Sequence, residues 1–461
     1  MICQVFIKPF FTITEDDPVI EISDILQNRL NITQKEWITI KLGGEKLLVK
    51  SKTLSNPSEV DTIFLNQACY SRIDLPCVPL KLQAICDHDC LILGPIIAIL
   101  TEIKMNKENI PLFPTIETFC KELHEISTQQ GGLIFVSNIS RFPKNGFIYN
   151  GSWQEQLVPK ANILYNRIHS RQIERNPHFQ FIKNKWEKDG INIFNASFLT
   201  KWKTQNILLK NKNFHTYLPM TTLLNTTDLK KWIHKYKDLY IKPDTGSQGR
   251  QIIHCYKKHN LYHIEQTSFS NTTNISYTSL DDVVSQIQTW IGTKTFIIQQ
   301  TIPLVQIGNK KIDFRFLCHK KKQNIWSITS SVARISEEKH FVSNIAQGGT
   351  ISRPEKILTT VFGKETAKQT YSLMSELALE IATFISSESE GLIGELGIDI
   401  GVDFQGKPWV IEVNSKPSKQ SESDSLLIRP SAKAIYYYCT ELWLERSKLN
   451  DKIRDIDNDT L

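Results

Sequence analysis

The chain has 461 residues, 40% of them hydrophobic and 22% charged, with a net charge of +7. That balance excludes wholesale disorder, and 20 glycines with 18 prolines exclude a collagen-like chain. No run approaches the roughly 18 consecutive apolar residues of a membrane-crossing helix.

The N-terminus lacks the basic start and apolar stretch of a secretory signal. Nine scattered cysteines suit reduced thiols in a cytoplasmic setting better than a disulfide framework. The mild basicity suits a polyanionic ligand such as ATP, and no signature of specific nucleic-acid binding accompanies it.

Residues 1–90 alternate in short β-like runs at 5–7, 37–42 and 46–49, with Gly43-Gly44 as a turn. They predict a small β-rich N-terminal domain with no catalytic signature. Residues 91–195 read as a small layered α/β domain. Its elements are a strand at 91–97, a helix at 115–129 ended by Gly131-Gly132, and strands at 133–136 and 162–167. A helix at 179–189, ended by Gly190, and a strand at 191–194 complete it. The apolar run 91–100 contains Gly94 and Pro95 and reads as a buried strand and turn. Residues 196–445 carry strands, turns and two stronger helices at 228–236 and 364–386. The second presents Leu373, Leu377, Leu379, Ile381 and Phe384 as its apolar side. Residues 446–461 are charged and read as a tail whose end frays.

Three segments carry chemistry. In the first, a strand delivers Lys242 in Tyr240-Ile-Lys-Pro243, and a loop with Gly246, Ser247, Gly249 and Arg250 follows. Glycines let backbone amides approach an anion, and successive amides make a phosphate nest. The loop is neither a Walker A sequence nor a dinucleotide fingerprint. An ordinary hairpin with a surface lysine gives the same local pattern.

The second segment is a hairpin turning at Gln405-Gly406. If it is symmetric, Asp399 faces Glu412. Period two then puts Asp399, Gly401, Asp403, Glu412 and Asn414 on one face. Ile398, Ile400, Val402, Trp409, Ile411 and Val413 fall on the other, the core side. Like charges directly opposed on a sheet are destabilising, and a divalent cation between them removes the repulsion. Asp, Glu and Asn are hard oxygen donors that suit Mg²⁺. The competing reading is a solvated acidic face.

The third segment is the strand around Asp313 and Arg315, a second strand bearing Arg334, and a stretch with Asn344, Gly348 and Gly349. Arg315 and Arg334 are fork donors able to clamp a transferring phosphoryl group; structural ion pairs are the alternative for each. Just before them, the strand 295–302 with Gln299, Gln300 and Ile302 can offer backbone hydrogen bonds to an adenine edge. Cys86-Asp-His-Asp-Cys90 lacks the usual zinc spacing and a second ligand pair, and reads as a reduced surface loop.

In this order the pieces resemble the ATP-grasp superfamily, and within it the endospore coat-associated YheC/YheD family. The marks are Leu93-Gly-Pro-Ile-Ile-Ala98, Phe198-Leu-Thr-Lys-Trp202, Tyr240-Ile-Lys-Pro243, Gly397-Ile-Asp-Ile-Gly401 and Ile411-Glu-Val-Asn-Ser-Lys-Pro417. The resemblance covers residues 90–440 and is thin before them. It implies an α+β / α/β fold: an ATP-grasp module of two α+β subdomains after a small α/β pre-grasp domain and the N-terminal β-rich domain. It also implies ATP and Mg²⁺ or Mn²⁺ as cofactors, an acylphosphate, and attack by an amine, making the chain a carboxylate–amine ligase.

Carried onto this sequence, the resemblance implies Lys242, the glycine loop and a second lysine on the nucleotide. Lys201 or Lys203 is that second lysine, and the Lys-Trp match favours Lys201. It implies Gln299, Gln300 and Ile302 on the adenine, and Arg315 and Arg334 on the phosphoryl group. Asp399, Glu412 and Asn414 bind metal, while Asn344, Gly348, Gly349 and Lys416 meet substrate. Many relatives end the glycine loop with Lys where this chain has Arg250. The expected partners are a carboxylate and an amine of unknown identity, among them peptides, and proteins of the spore coat. A non-catalytic coat scaffold and a hydroxyl kinase are the competing functions.

Overall fold

Short runs of β-branched residues close on themselves at the start of the chain. The computed structural model describes residues 2–458 apart from 11–16, 34, 55–58, 77, 79, 88–89, 247–248, 268–271, 322–324, 337–348 and 420–427. Strands Cys3–Phe10, Thr62–Asn66, Val19–Ile22, Glu45–Thr53, Trp37–Leu42, Cys90–Gly94 and Leu80–Asp87 form a closed barrel in that order. Alternation fills it: Val5, Ile7, Ile38, Ile40 and Leu42 point inward. Closure leaves no open sheet edge.

The turn between Trp37–Leu42 and Glu45–Thr53 needs its glycine. Gly43 has φ +59°, and a Cβ there would lie 1.8 Å from the Lys160 carbonyl oxygen. The Asn162 amide donates to the Gly43 carbonyl at 2.8 Å. The barrel is thereby seated on the next layer.

The apolar run 91–100 is two strands rather than one strand and a turn. Cys90–Gly94 belongs to the barrel, and Ile96–Leu100 to the next sheet. Pro95, with no N–H to give to either ladder, sits between them. The second sheet runs Ser152–Leu157, Asn145–Asn150, Leu133–Ser137, Ile96–Leu100, Ile163–Asn166, Asn192–Phe194, and its last four strands are parallel. Parallel strands are covered on both faces, which is why they read as continuous apolar runs. Phe179 and Trp186 of the helix Pro177–Lys188 pack on the face of Ala98, Phe135 and Leu164. Phe119, Leu123 and Ile126 of the helix Glu117–Gln130 pack on the face of Ile97, Ile134 and Tyr165.

That second face is completed from the far end of the sequence. The helix Pro430–Asn458 brings Ile435, Tyr436, Cys439, Leu442 and Trp443 into the same core. It runs straight through the expected boundary at 445/446, so the charged residues beyond Trp443 continue a helix whose earlier turns are buried.

The rest of the chain forms two antiparallel sheets. One is ordered Thr221–Leu223, Phe296–Gln300, Asp238–Pro243, Ile253–Lys258, Leu261–Thr267, Thr272–Tyr277. Helices Thr226–Tyr236 and Leu280–Ile291 cover one face of it through Leu229, Ile233, Val283 and Ile287. The other is ordered Thr350–Ser352, Trp326–Ile335, Lys310–Lys320, Glu395–Val402, Pro408–Asn414, with Gln306–Ile307 added beside Lys310–Lys320. Behind it lie the helices Lys201–Leu209, Pro354–Phe362 and Lys364–Glu388. The last was read with Leu373 on its apolar side. Leu373 is exposed, and the buried stripe is Met374, Leu377, Ala378, Ile381 and Ile385, with Leu379 and Phe384 at its margin.

Candidate functional site

The free faces of the two antiparallel sheets bound a cleft of about 1740 Å³. In the strand Asp238–Pro243, Leu239 and Ile241 are buried toward the helices, and Tyr240 and Lys242 face the cleft. Lys242 donates to the Gln299 amide oxygen at 2.6 Å, and the Gln299 amide nitrogen donates to the Thr221 hydroxyl at 3.0 Å. Gln299 thus holds the lysine. Gln300 and Ile302 line the cleft beside it. Burial, and then the nearby charge of Lys201, lower the Lys242 ammonium to a pKa of about 8.

Beyond that strand, Gly246 and Gly249 line the cleft, and Gly249 has φ +67°, which favours glycine. Arg250 lies at the rim and is exposed. Ser247 lies outside the described residues, as do Asn344 and Gly348; Gly349 directly precedes the strand Thr350–Ser352. Lys201 opens its helix, capped by the Thr200 hydroxyl on the Lys203 amide. Its ammonium donates to the Gly246 carbonyl at 3.1 Å and pairs with Glu412 at 3.0 Å. Lys203 forms no part of the cleft lining.

Across the cleft, Asp399 and Glu412 do face each other, and Gly397 pairs with Asn414. The path to that register differs from a symmetric hairpin. Near the turn the pairing is Val402–Pro408, Gly401–Trp409 and Ile400–Val410, and a bulge then restores Asp399 opposite Glu412. The bulge changes which residues face inward. Val410 is in the core, while Ile411 lines the cleft and Trp409 donates to the Asp403 carboxylate at 2.9 Å. Trp409 and Ile411 therefore leave the core side assigned to them. Asp403 also caps the turn, accepting from the Gln405 and Lys407 amides.

Arg315 pairs with Asp399 in register on the adjacent strand and meets its carboxylate in a bidentate fork, Nη2 to Oδ2 at 2.7 Å. Arg334 donates to Asp313 at 2.5 Å and reaches Asp399 Oδ2 at 3.0 Å. Burial opposes charge on Asp399, but the two guanidinium groups outweigh it and hold the carboxyl below its ordinary range. Two acids and two arginines make a quartet balanced in charge.

Lys416 lines the cleft as a paired cation. Its ammonium is fully buried, held by Glu174 and by the Ile168 carbonyl at 3.0 Å. Burying a long amine is tolerable only with such a partner, so it is tied into the protein where it lines the cleft. A similar buried knot ties the parallel sheet to the hairpin: Arg167 Nη1 meets Glu395 at 2.9 Å, and Tyr165, Lys419 and Glu395 share hydrogen bonds.

Lys311, His169 and Arg171 are among the cleft residues that the sequence analysis leaves out. Lys311 donates to the Tyr240 hydroxyl at 2.7 Å, and the Tyr240 ring stacks on His254 at 4.6 Å. His169 and Arg171 come from the loop and short helix after the parallel strand Ile163–Asn166. None of the three sits in a local motif.

The cleft thus sets an antiparallel sheet carrying Lys242 and the glycine loop against a hairpin with opposed Asp399 and Glu412 backed by Arg315. A family model described as YheC/D like ATP-grasp matches residues 190–442. The chain belongs to the YheC/D-like ATP-grasp family. Two relatives from Bacillus subtilis (strain 168) are similar along most of the chain. Endospore coat-associated protein YheD is 27% identical over 78% of this chain and 80% of its own length. Endospore coat-associated protein YheC is 23% identical over 63% and 79%. Among solved structures, the VanG D-Ala:D-Ser ligase of Enterococcus faecalis is 12% identical, covering 76% of this chain and 98% of its own, with a TM-score of 0.46.

The matched span starts two residues before the last strand of the parallel sheet and ends inside the helix Pro430–Asn458. Both antiparallel sheets of the ATP-grasp module lie within it. Among the described residues no three His, Cys, Asp or Glu side chains cluster as a metal site. Asp399, Glu412 and Asn414 are oxygen donors of the kind a hard cation takes, with both Asp399 oxygens engaged by Arg315 and Arg334 in this structure. Glu412 is held by one exchangeable lysine, and Asn414 lines the cleft. No helix among the described residues is long and apolar enough to cross a membrane.

Proposed function

We propose that this ATP-grasp protein is an ATP- and Mg²⁺-dependent carboxylate–amine ligase that works through an acylphosphate at or near the endospore coat. The observation that carries the reading is Asp399 opposed to Glu412, backed by Arg315 and Arg334, across a cleft from Lys242. The coat setting rests on the descriptions of the two relatives.

ATP lies along the cleft, its phosphates near Lys201, Lys242 and the glycine loop. Gln300 and Ile302 border the base. Asp399, Glu412 and Asn414 would hold Mg²⁺, which when bound neutralises phosphate charge. A substrate carboxylate oxygen attacks the γ-phosphorus, the bond to the bridging oxygen breaks, and ADP leaves. The amine then attacks the acyl carbon, phosphate departs and the nitrogen loses its proton. Arg315 and Arg334 stabilise the charge on the transferring group, so positioning and electrostatics do most of the catalysis. Lys416 plays a structural part in this scheme.

Calorimetric titration with ATP, with and without Mg²⁺, tests the nucleotide half on the wild type and on Glu412→Gln. Binding that needs Mg²⁺ and is lost in the variant supports it; a wild type that binds no ATP removes it. The ligase half is tested with amino acids and peptides labelled with ¹⁸O in the carboxylate. Label appearing in released phosphate marks an acylphosphate, whereas a stable phosphoester product replaces the ligase by a kinase.

A further inference from the structure

The charges in the cleft are unevenly matched. In the ligand-free protein Arg315 and Arg334 pair with Asp399 and Asp313, and Lys201 pairs with Glu412. Among the described residues, Lys242 and Arg171 are held by neutral oxygens: Lys242 by the Gln299 amide and Arg171 by the Gly246 carbonyl, from Nη2 at 3.2 Å. Lys242 already has a role in the proposed site. Arg171 has none, and it comes from outside the two antiparallel sheets.

Arg171 is well fixed for a long side chain. It begins a short helix whose Ser170 cap accepts from the Ile173 amide at 3.3 Å. The backbone amides of His169 and Ser170 donate to the Glu102 carboxylate at 2.7 to 3.1 Å. The guanidinium lies over the Phe198 ring, 4.8 Å from its centroid. Such stacking limits the rotamers of the side chain without consuming its donors. Among the described residues, Nε and Nη1 make no hydrogen bond, and the group lines the cleft. Burial lowers the guanidinium from its ordinary value, against the attraction of Glu412.

We propose that Arg171 is a phosphoryl-binding residue supplied by the parallel-sheet layer, gripping the γ-phosphoryl group of ATP while it leaves the ADP portion to Lys242 and the glycine loop. A planar fork with two free donors, next to a loop that cradles phosphates and close to Glu412, suits an anion of tetrahedral oxygens. Without ligand the Gly246 carbonyl occupies one of its donors; with ligand a charged oxygen is the stronger acceptor. The residue thereby links the layer that borders one end of the cleft to the reacting end of the nucleotide. The inference rests on the nucleotide half of the proposed function.

The test is calorimetric titration with Mg²⁺·ADP and with a non-hydrolysable β,γ-imido analogue of ATP, on the wild type, Arg171→Met and Arg171→Lys. Arg171→Met is expected to lose tenfold or more in affinity for the analogue while ADP affinity stays within twofold. Arg171→Lys, keeping charge but not the fork, should fall between. An unchanged analogue affinity overturns the inference. So does an equal loss for both ligands, because that is the mark of a residue that only tethers the glycine loop. A wild type that binds neither nucleotide overturns the nucleotide reading itself, a result distinct from both.

Discussion

The Lys201 ammonium lies 3.0 Å from Glu412 Oε1, joining the first turn of a helix to the hairpin that carries the acidic pair. Both groups keep some solvent contact, 14% for the lysine and 25% for the glutamate. An ion pair in that setting contributes about 0–1 kcal/mol to stability. Lys201→Met is therefore expected to melt close to the wild type and to lose tenfold or more in ATP affinity. A large fall in melting temperature with ATP affinity intact would show that the pair serves the fold instead.

Lys242 makes nucleotide affinity depend on pH. Its ammonium titrates near 8 in the ligand-free protein, chiefly because it is buried and then because Lys201 is near. ATP prefers the protonated form, so binding is strongest below 8. Above 8 it weakens by up to about tenfold per pH unit, until the lysine loses its proton in the ATP complex as well. The dissociation constant measured from pH 6.5 to 9.5 should bend upward near 8 in the wild type. The bend should be missing in Lys242→Gln; a bend of the same size in that variant assigns the titration elsewhere.

Lys416 and Glu174 form a buried pair, and removing one partner strands the other's charge. Lys416→Met should cost about 3–5 kcal/mol, and adding Glu174→Gln should recover much of it. Denaturant unfolding of the single and double variants checks this. Equal stability in all three, with substrate-dependent turnover lost, would return Lys416 to the substrate.

His254 offers a signature in pH and heat. Burial works against its protonation, but hydrogen bonds to Asp238 at 2.7 Å and to Glu265 outweigh that and the repulsion of Lys311, raising the imidazole above its ordinary value. Its stabilising contribution is then complete below about pH 6.5 and is lost as pH rises through the raised folded value. Wild type should lose more melting temperature than His254→Gln between pH 6 and 9. Parallel curves would mean that folding does not raise the imidazole above its ordinary value.

Much of the acidic site was legible because strand alternation is a local rule. Asp399 opposite Glu412 follows from counting across a turn. The count near the turn was off by one, and the bulge that compensates also moved Trp409 and Ile411 out of the core. A bulge leaves no mark in a run such as Trp-Val-Ile-Glu-Val. Arg171 and the Glu174–Lys416 pair were not legible, since their partners are distant in sequence and no spacing brings them together. The helix Pro430–Asn458 was missed for another reason. Ile435, Tyr436, Cys439, Leu442 and Trp443 have helical spacing, but the charges that follow drew the eye to a tail.

That helix also sets an order on the birth of the protein. The face of the parallel sheet carrying Ile97, Ile134 and Tyr165 is finished by side chains between Ala432 and Trp443. A ribosome adds residues from the N-terminus, so this face waits, partly bare, while both antiparallel sheets are made. Chains released early would keep an apolar surface open to chaperones or to each other. The face closes only once residues 432–443 have been made, so an early layer of this fold depends on a late element.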